Sequence, residues 1–282
     1  MRNYAAAAQY PKPLLLPQNY APRRGPRNFE PMLRLLFRLA PALPALLLLL
    51  TLTGCGTDAE WDCVKSTGHT ATQRRALRPF RWVELQDNLE VELVPDTASF
   101  VEITGGDHLL PKITTEQAAD GRLLIRNRNR CNWVRSYRRA LTARVHFTGS
   151  YLRISQKGSG RIWCAPGTRI DTLFLVQLGA GDIDLDVQSR YIWGQQYEYG
   201  DVRLRGTTNL ISYELRGTGF FYAQDLTAGT AFISSFYDGV PRVRATQQLG
   251  IRLFGAADAY YYGQPTISDF QERGQGRVRP GT

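Results

Sequence analysis

Three aspartates, Asp182, Asp201 and Asp258, each stand one residue beyond a turn of small residues. Asp182 and Asp201 are 19 residues apart. If the chain coils with that period, they become neighbours on adjacent coils. Two neighbouring carboxylates can act as the acid and base of glycosidic chemistry, or share a calcium ion. Asp184 and Asp186 extend the same row. The plainer alternative is a solvated strand face, with Arg161, Arg203 and Arg205 as counter-charges. No nucleophile–His–acid set, phosphate loop or dinucleotide fingerprint accompanies these acids. The glycine-rich turns precede strands, so they lack the helix end that would bind an anion. The sequence therefore predicts no catalytic residue and no cofactor.

A second group is basic. Six arginines (Arg126, Arg128, Arg130, Arg135, Arg138 and Arg139) flank Trp133 and Tyr137. Arginine interleaved with aromatics can bind nucleic acid, but the export signal described below excludes that partner. Anionic polysaccharides or lipid headgroups are the external equivalents, and a solvated loop is the plain alternative. Aromatics are also frequent from Tyr191 onward. Outward rings on a flat strand face stack on sugars or pack against a protein, and Tyr199, Phe220 and Tyr222 are the ligand-binding candidates. Stacking between coils is the competing reading. The three histidines, His69, His108 and His146, have no metal-ligand spacing with the cysteines, so no metal site is expected.

The strongest chemical signal lies upstream. Leu33 to Arg38 is short and basic, Leu39 to Leu52 is apolar, and Leu52-Thr53-Gly54-Cys55 follows. A membrane span needs about 20 apolar residues, and this run is shorter and broken by Pro41 and Pro44. Small residues before a Cys fit a bacterial lipoprotein signal, with Cys55 as the lipid-bearing residue. Counting from Met32 gives a compact leader, which makes Met32 an alternative start. The formal net charge is +10, yet residues 1–54 hold seven basic residues against one acid, leaving +4 for the rest. Acids soon after Cys55 resemble a surface-export signal, or serve as a polar tether. In an oxidising compartment the three remaining cysteines suggest one disulfide and one thiol. Cys63 and Cys131 look exposed and are paired here; Cys164 reads as a small buried hydrophobe.

These signals divide the chain. Residues 1–54 are an extension and signal peptide, 55–79 a lipidated tether, 80–267 the folded domain, and 268–282 a polar tail. From Phe80 onward, apolar and polar residues alternate in short runs, as in Leu89, Val91, Leu93 and in Ala143, Val145, Phe147, and period two marks half-buried strands. The turns then recur: Gly158-Ser159-Gly160, Gly179-Ala180-Gly181, Glu198-Tyr199-Gly200, Gly217-Thr218-Gly219, Tyr237-Asp238-Gly239 and Gly255-Ala256-Ala257. Their spacings are 21, 19, 19, 20 and 18. Units this short cannot bury a face alone and must stack. The reading is all-β, a right-handed parallel β-solenoid of about 20-residue coils. Ile162, Ile183, Val202, Phe221 and Ala259 should point inward, as should Cys164, Leu185, Leu204, Ala223, Val243 and Tyr261. The turn glycines are expected to supply positive φ, and Pro241 to cause a register slip. An antiparallel sandwich is the alternative fold.

These turns, the opening Phe80-Arg81-Trp82-Val83-Glu84-Leu85 and the closing Tyr260-Tyr261-Tyr262-Gly263-Gln264-Pro265 resemble the family described as putative auto-transporter adhesin, head GIN domain, over roughly Phe80 to Ile267. The turns at Gly200 and Gly239 depart from the pattern by lacking the first Gly. The resemblance implies a β-solenoid on bacterial cell-envelope proteins and carries no catalytic residues. The expected function is a non-catalytic, adhesin-like or structural role at the envelope, on the periplasmic or outer side of an outer membrane. The expected partners are the membrane through the lipid, a surface glycan or a protein. The open solenoid ends offer a route to a homo-oligomer, with Tyr260 to Pro265 and the tail expected to cap the last coil. A carbohydrate-active enzyme using Asp182 and Asp201 is the alternative, and a periplasmic accessory domain of a signalling system is a third.

Overall fold

A computed structural model describes residues 66–130 and 141–282. Its strands join in one continuous 18-stranded sheet. The helical piece among the described residues is a 3-10 turn, Leu110–Lys112, and no helix among them is long and apolar enough to cross a membrane. Cys55, Cys63 and Cys131 lie outside the described residues, as do Trp133, Arg135, Tyr137, Arg138 and Arg139.

The regular part is a parallel solenoid. Strands β12 (Ile183–Gln196), β13 (Val202–Leu215), β14 (Phe221–Ser235) and β15 (Pro241–Leu253) each run around a bend. β12 pairs in parallel with β13 from Ile183↔Val202 to Gln196↔Leu215, and β13 with β14 and β14 with β15 follow suit. Each coil gives the first half of its strand to one face and the second half to another. The leading face, just after each small-residue turn, also holds β9 (Ile162–Cys164), β16 (Ala259–Tyr262) and β18 (Val278–Pro280). The trailing face, before each turn, also holds β8 (Tyr151–Gln156), β11 (Thr172–Gln177) and β17 (Thr266–Glu272).

Alternation sends every second side chain into the core. Ile162, Ile183, Val202, Phe221 and Ala259 are fully buried in one column, and Leu173, Ile192, Ile211, Ala231 and Leu249 in another. Each large aliphatic contributes about 1.5–3 kcal/mol on burial, so neighbouring coils hold one another together. Cys164 is buried as expected, a free thiol donating weakly to the Asp186 carbonyl at 3.5 Å.

Two local expectations are corrected. The turn glycines Gly181, Gly200 and Gly219 are not among the residues with positive φ. Their smallness serves close approach instead: a Cβ on Gly181 would strike the Gly160 carbonyl oxygen of the preceding coil, and one on Gly200 the Gly181 oxygen. Pro241 causes no slip. It pairs directly with Phe221, because it is the first residue of its strand, where a missing N–H is tolerated. The slip falls beyond Ala223↔Val243, where Thr227 faces Arg244.

The ends differ from the sequence reading as well. β2 (Trp82–Leu85) and β3 (Glu90–Pro95) form a coil that lies between β8–β9 and a later coil, β6 (Arg122–Asn127) with β7 (Thr142–Phe147). Beyond it the pairing turns antiparallel: β7 with β4 (Phe100–Gly106), β4 with β1 (Thr70–Ala76), and β6 with β5 (Ile113–Gln117). Thus part of the expected tether is strand β1. The expected polar tail is also ordered, because β17 and β18 extend the stack by one coil. That coil is not capped from within. Ile267 and Phe270, in register with the buried Leu249 and Ile251, stay 43% and 37% exposed.

Candidate ligand-binding faces

The acidic candidates are spent on stacking. Asp182 Oδ1 accepts the Asp201 backbone N–H at 3.0 Å, and Asp201 Oδ1 accepts that of Phe220 at 2.9 Å. Asp258 repeats the device, accepting from Arg277 N at 2.7 Å and from Arg279 Nε at 2.6 Å. The backbone bond from Arg277, with Arg279 beside it, holds the Asp258 carboxyl below the usual range. Asp184 lies buried between Arg161 and Arg205, the latter at 2.7 Å. Asp186 accepts the Gly167 N–H at 2.9 Å. Asp182, Asp184 and Asp201 line one small hollow with Arg161 and Arg203. No group of three acidic, His or Cys side chains that could hold a metal occurs among the described residues.

A ladder inside the corners was missed from sequence. Gln156, Gln177 and Gln196 are fully buried, and their amides donate to the carbonyls of Gly160, Gly181 and Gly200; Ser235 does the same to Gly239 at 2.9 Å. A polar residue four places before the end of a turn was the available signal. Paired this way, each buried turn carbonyl avoids the cost of an unmade bond.

The leading face carries an alternating column. Arg203, Tyr222, Arg242 and Tyr260 occupy the same outward position on successive coils. The Arg203 guanidinium lies 4.9 Å from the Tyr222 ring centre; that of Arg242 lies 5.8 Å from Tyr222 and 5.4 Å from Tyr260. Arg244 stands 5.7 Å over Tyr262. Phe220 stacks on Tyr222 at 5.6 Å, whereas Tyr199 sits on its turn, 72% exposed, without a ring partner among the described residues. The structure thus unites two of the three aromatic candidates and leaves the third apart.

The trailing face carries an aromatic strip. Trp82, Arg153, Phe174, Trp193, Ser212 and Phe232 share one outward column, with Tyr151 and Tyr191 in the column beside it. Tyr151, Tyr191, Trp193 and Phe232 are each more than a third exposed. Tyr191 and Trp193 stack at 5.4 Å, and Arg153 lies between Trp82 at 4.3 Å and Phe174 at 5.1 Å. At its border Glu84 is buried. Burial pushes its carboxyl up, but bonds from Lys157 at 3.0 Å, Gln86 at 2.7 Å and Arg122 at 3.2 Å outweigh this and leave it below the usual range. The common repeat position of Phe174, Trp193 and Phe232 was the sequence signal for this strip.

The sequence model of the family described as "Putative auto-transporter adhesin, head GIN domain" matches residues 79–265. The chain belongs to this family. Solved structures share its fold. A "putative adhesin" from Bacteroides fragilis is 21% identical, with a TM-score of 0.64 over 75% of this chain and 97% of that one. A "putative lipid binding protein" from Parabacteroides distasonis is 20% identical, with a TM-score of 0.56 over 77% and 98%. A "putative adhesin" from Parabacteroides distasonis is 14% identical, with the same TM-score over 76% and 98%. No curated protein matches the chain.

Proposed function

We propose that this head GIN domain is a non-catalytic, adhesin-like binding module held at the bacterial cell envelope by a lipid on Cys55, and that its trailing face receives a glycan. The observation that carries the reading is the strip of Tyr151, Tyr191, Trp193 and Phe232, exposed on one flat, in-register sheet. Contiguous exposed aromatics mark binding surfaces. Here the strip is flanked by Thr172, Gln195, Ser212 and Thr230, whose hydroxyls and amide suit a sugar's mixed apolar and polar faces. The carbohydrate-active alternative has less support, because Asp182 and Asp201 both accept backbone N–H groups of the next coil.

The test is a glycan array probed with the full chain and with Trp193→Ala and Tyr191→Ala. The reading expects a neutral glycan bound by the wild type and weakened about tenfold or more by either change, since truncating an aromatic anchor of a binding surface costs about 2 kcal/mol or more. Retained binding in both variants, or turnover of a bound glycan, contradicts it.

A further inference from the structure

The leading face has a charge pattern that the stacking of coils does not use. Its upper half is neutralised: Arg144 meets Glu92 at 2.8 Å, and Asp184 is held by Arg161 and Arg205. At the lower edge Arg279 meets Asp258 at 2.6 Å. Between them, Arg203, Arg242 and Arg244 make no ion pair among the described residues. Asp182 and Asp201 line a hollow with Arg203 but form no ion pair with it, each accepting a backbone N–H of the next coil, and Asp258 holds Arg279. Asp225, exposed and in register with Arg205, is the remaining acid beside the patch. The three guanidiniums instead lie over tyrosine rings; Arg244 spends its Nε on the Gln224 carbonyl at 2.7 Å, and the Arg242 Nε is buried, so terminal nitrogens are the donors that can face a ligand.

We infer that Arg203, Tyr222, Arg242 and Tyr260 form a second binding site, for an acidic polysaccharide lying along the solenoid axis. Arg203 and Arg242 are two coils apart, which at strand spacing is about 9–10 Å. An extended 1,4-linked polyuronate turns alternate sugars to opposite sides, so its carboxylates recur on one side at every second sugar, a distance of that order. Guanidinium forks bind carboxylates bidentately, and Tyr222, its ring flanked by both arginines and Phe220, offers its hydroxyl to the intervening sugar. This site is on a different face from the aromatic strip and stands whether or not that strip binds a glycan.

The test measures binding of alginate oligomers to the full chain in detergent, by titration calorimetry. The comparisons are Arg203→Gln with Arg242→Gln, the control Arg144→Gln on the same face, and Trp193→Ala on the other. A second comparison works from the ligand side: alginate with its carboxyls reduced to alcohols, which needs no altered protein. The inference expects alginate to bind, to lose affinity about tenfold or more in the double variant, and to weaken steeply with salt, as charge-driven association does. It expects Arg144→Gln and Trp193→Ala to bind as the wild type does, and reduced alginate not to bind. It is overturned by an absence of alginate binding, by equal binding of reduced alginate, or by an unaffected double variant. Vesicles containing phosphatidylglycerol that bind through Arg203 and Arg242 while alginate does not would also overturn it, and make the face a membrane-docking surface.

Discussion

Gly194 and Tyr213 occupy the same inward position on neighbouring coils, and the missing side chain of the first makes room for the ring of the second. A Cβ at Gly194 would run into the Tyr213 ring, which stacks on Phe221 across the core at 4.0 Å. The Tyr213 hydroxyl is buried without a hydrogen-bond partner, and burial alone drives its ionisation far upward. Gly194→Ala should therefore destabilise the domain by about 1–3 kcal/mol through overpacking. Tyr213→Phe should be neutral or stabilising by about 1 kcal/mol, because it removes an unsatisfied polar group. Urea melts of the two variants check both signs.

The Gln ladder makes a second prediction. Gln196 donates to the Gly200 carbonyl at 2.8 Å and to that of Phe220 at 3.3 Å. Gln196→Ala should cost about 2–4 kcal/mol, from an unpaired carbonyl and a cavity together. Gln196→Leu should cost less, since Leu215 fills the same position one coil on. Equal losses in both variants would show that the ladder bonds, rather than the volume, hold the corner.

Acid should loosen the last coil before the central coils. Asp258 is held below its ordinary range by the Arg277 backbone N–H and Arg279, and Asp269 by Arg252 at 2.6 Å and Gln271. A carboxyl whose folded pKa is depressed contributes stability above its unfolded pKa and loses it as pH falls through the folded one. Both groups tie the last coil to its neighbours. Hydrogen-exchange protection factors, taken relative to the intrinsic amide rate at each pH, should therefore fall in β17 and β18 before β12 and β13 as pH drops from about 5 to about 3. A uniform fall in protection would contradict this.

Much of the fold was legible because its signals are local and repeated. The inward columns through Ile183, Val202 and Phe221 follow from alternation plus a fixed turn spacing, and pairing register confirms them. The last coil was not read, though its signal was present. Gly274-Gln275-Gly276 ends 19 residues after Ala257 and precedes Val278, repeating the pattern, yet its polar surroundings hid it. β1 was not legible. Its side chains are mostly exposed, and backbone pairing with β4 recruits it rather than an apolar face. Nor was the placement of β2 between β6 and β8, since local alternation says nothing about which coil a strand joins. At the faces, Phe220 and Tyr222 were singled out as candidates by type, but the partnership of Tyr222 with Arg203 and Arg242 depends on contacts about 20 residues apart.

Thiol chemistry separates the cysteines. Cys164 is buried, and burial raises its thiol above the usual range, which keeps it unreactive. In the native protein, iodoacetamide should leave Cys164 unmodified; after denaturation without reductant it should be the one cysteine alkylated. Labelling of Cys63 or Cys131 under those conditions would refute their proposed disulfide.

The most direct test of the envelope-anchored binding role is protease shaving of intact cells with lipid labelling, comparing the full chain with Cys55→Ala. The account predicts lipid on the wild type, none on the variant, and cleavage of the wild type at the cell surface. A wild type without lipid, or one fully protected from protease, would contradict it.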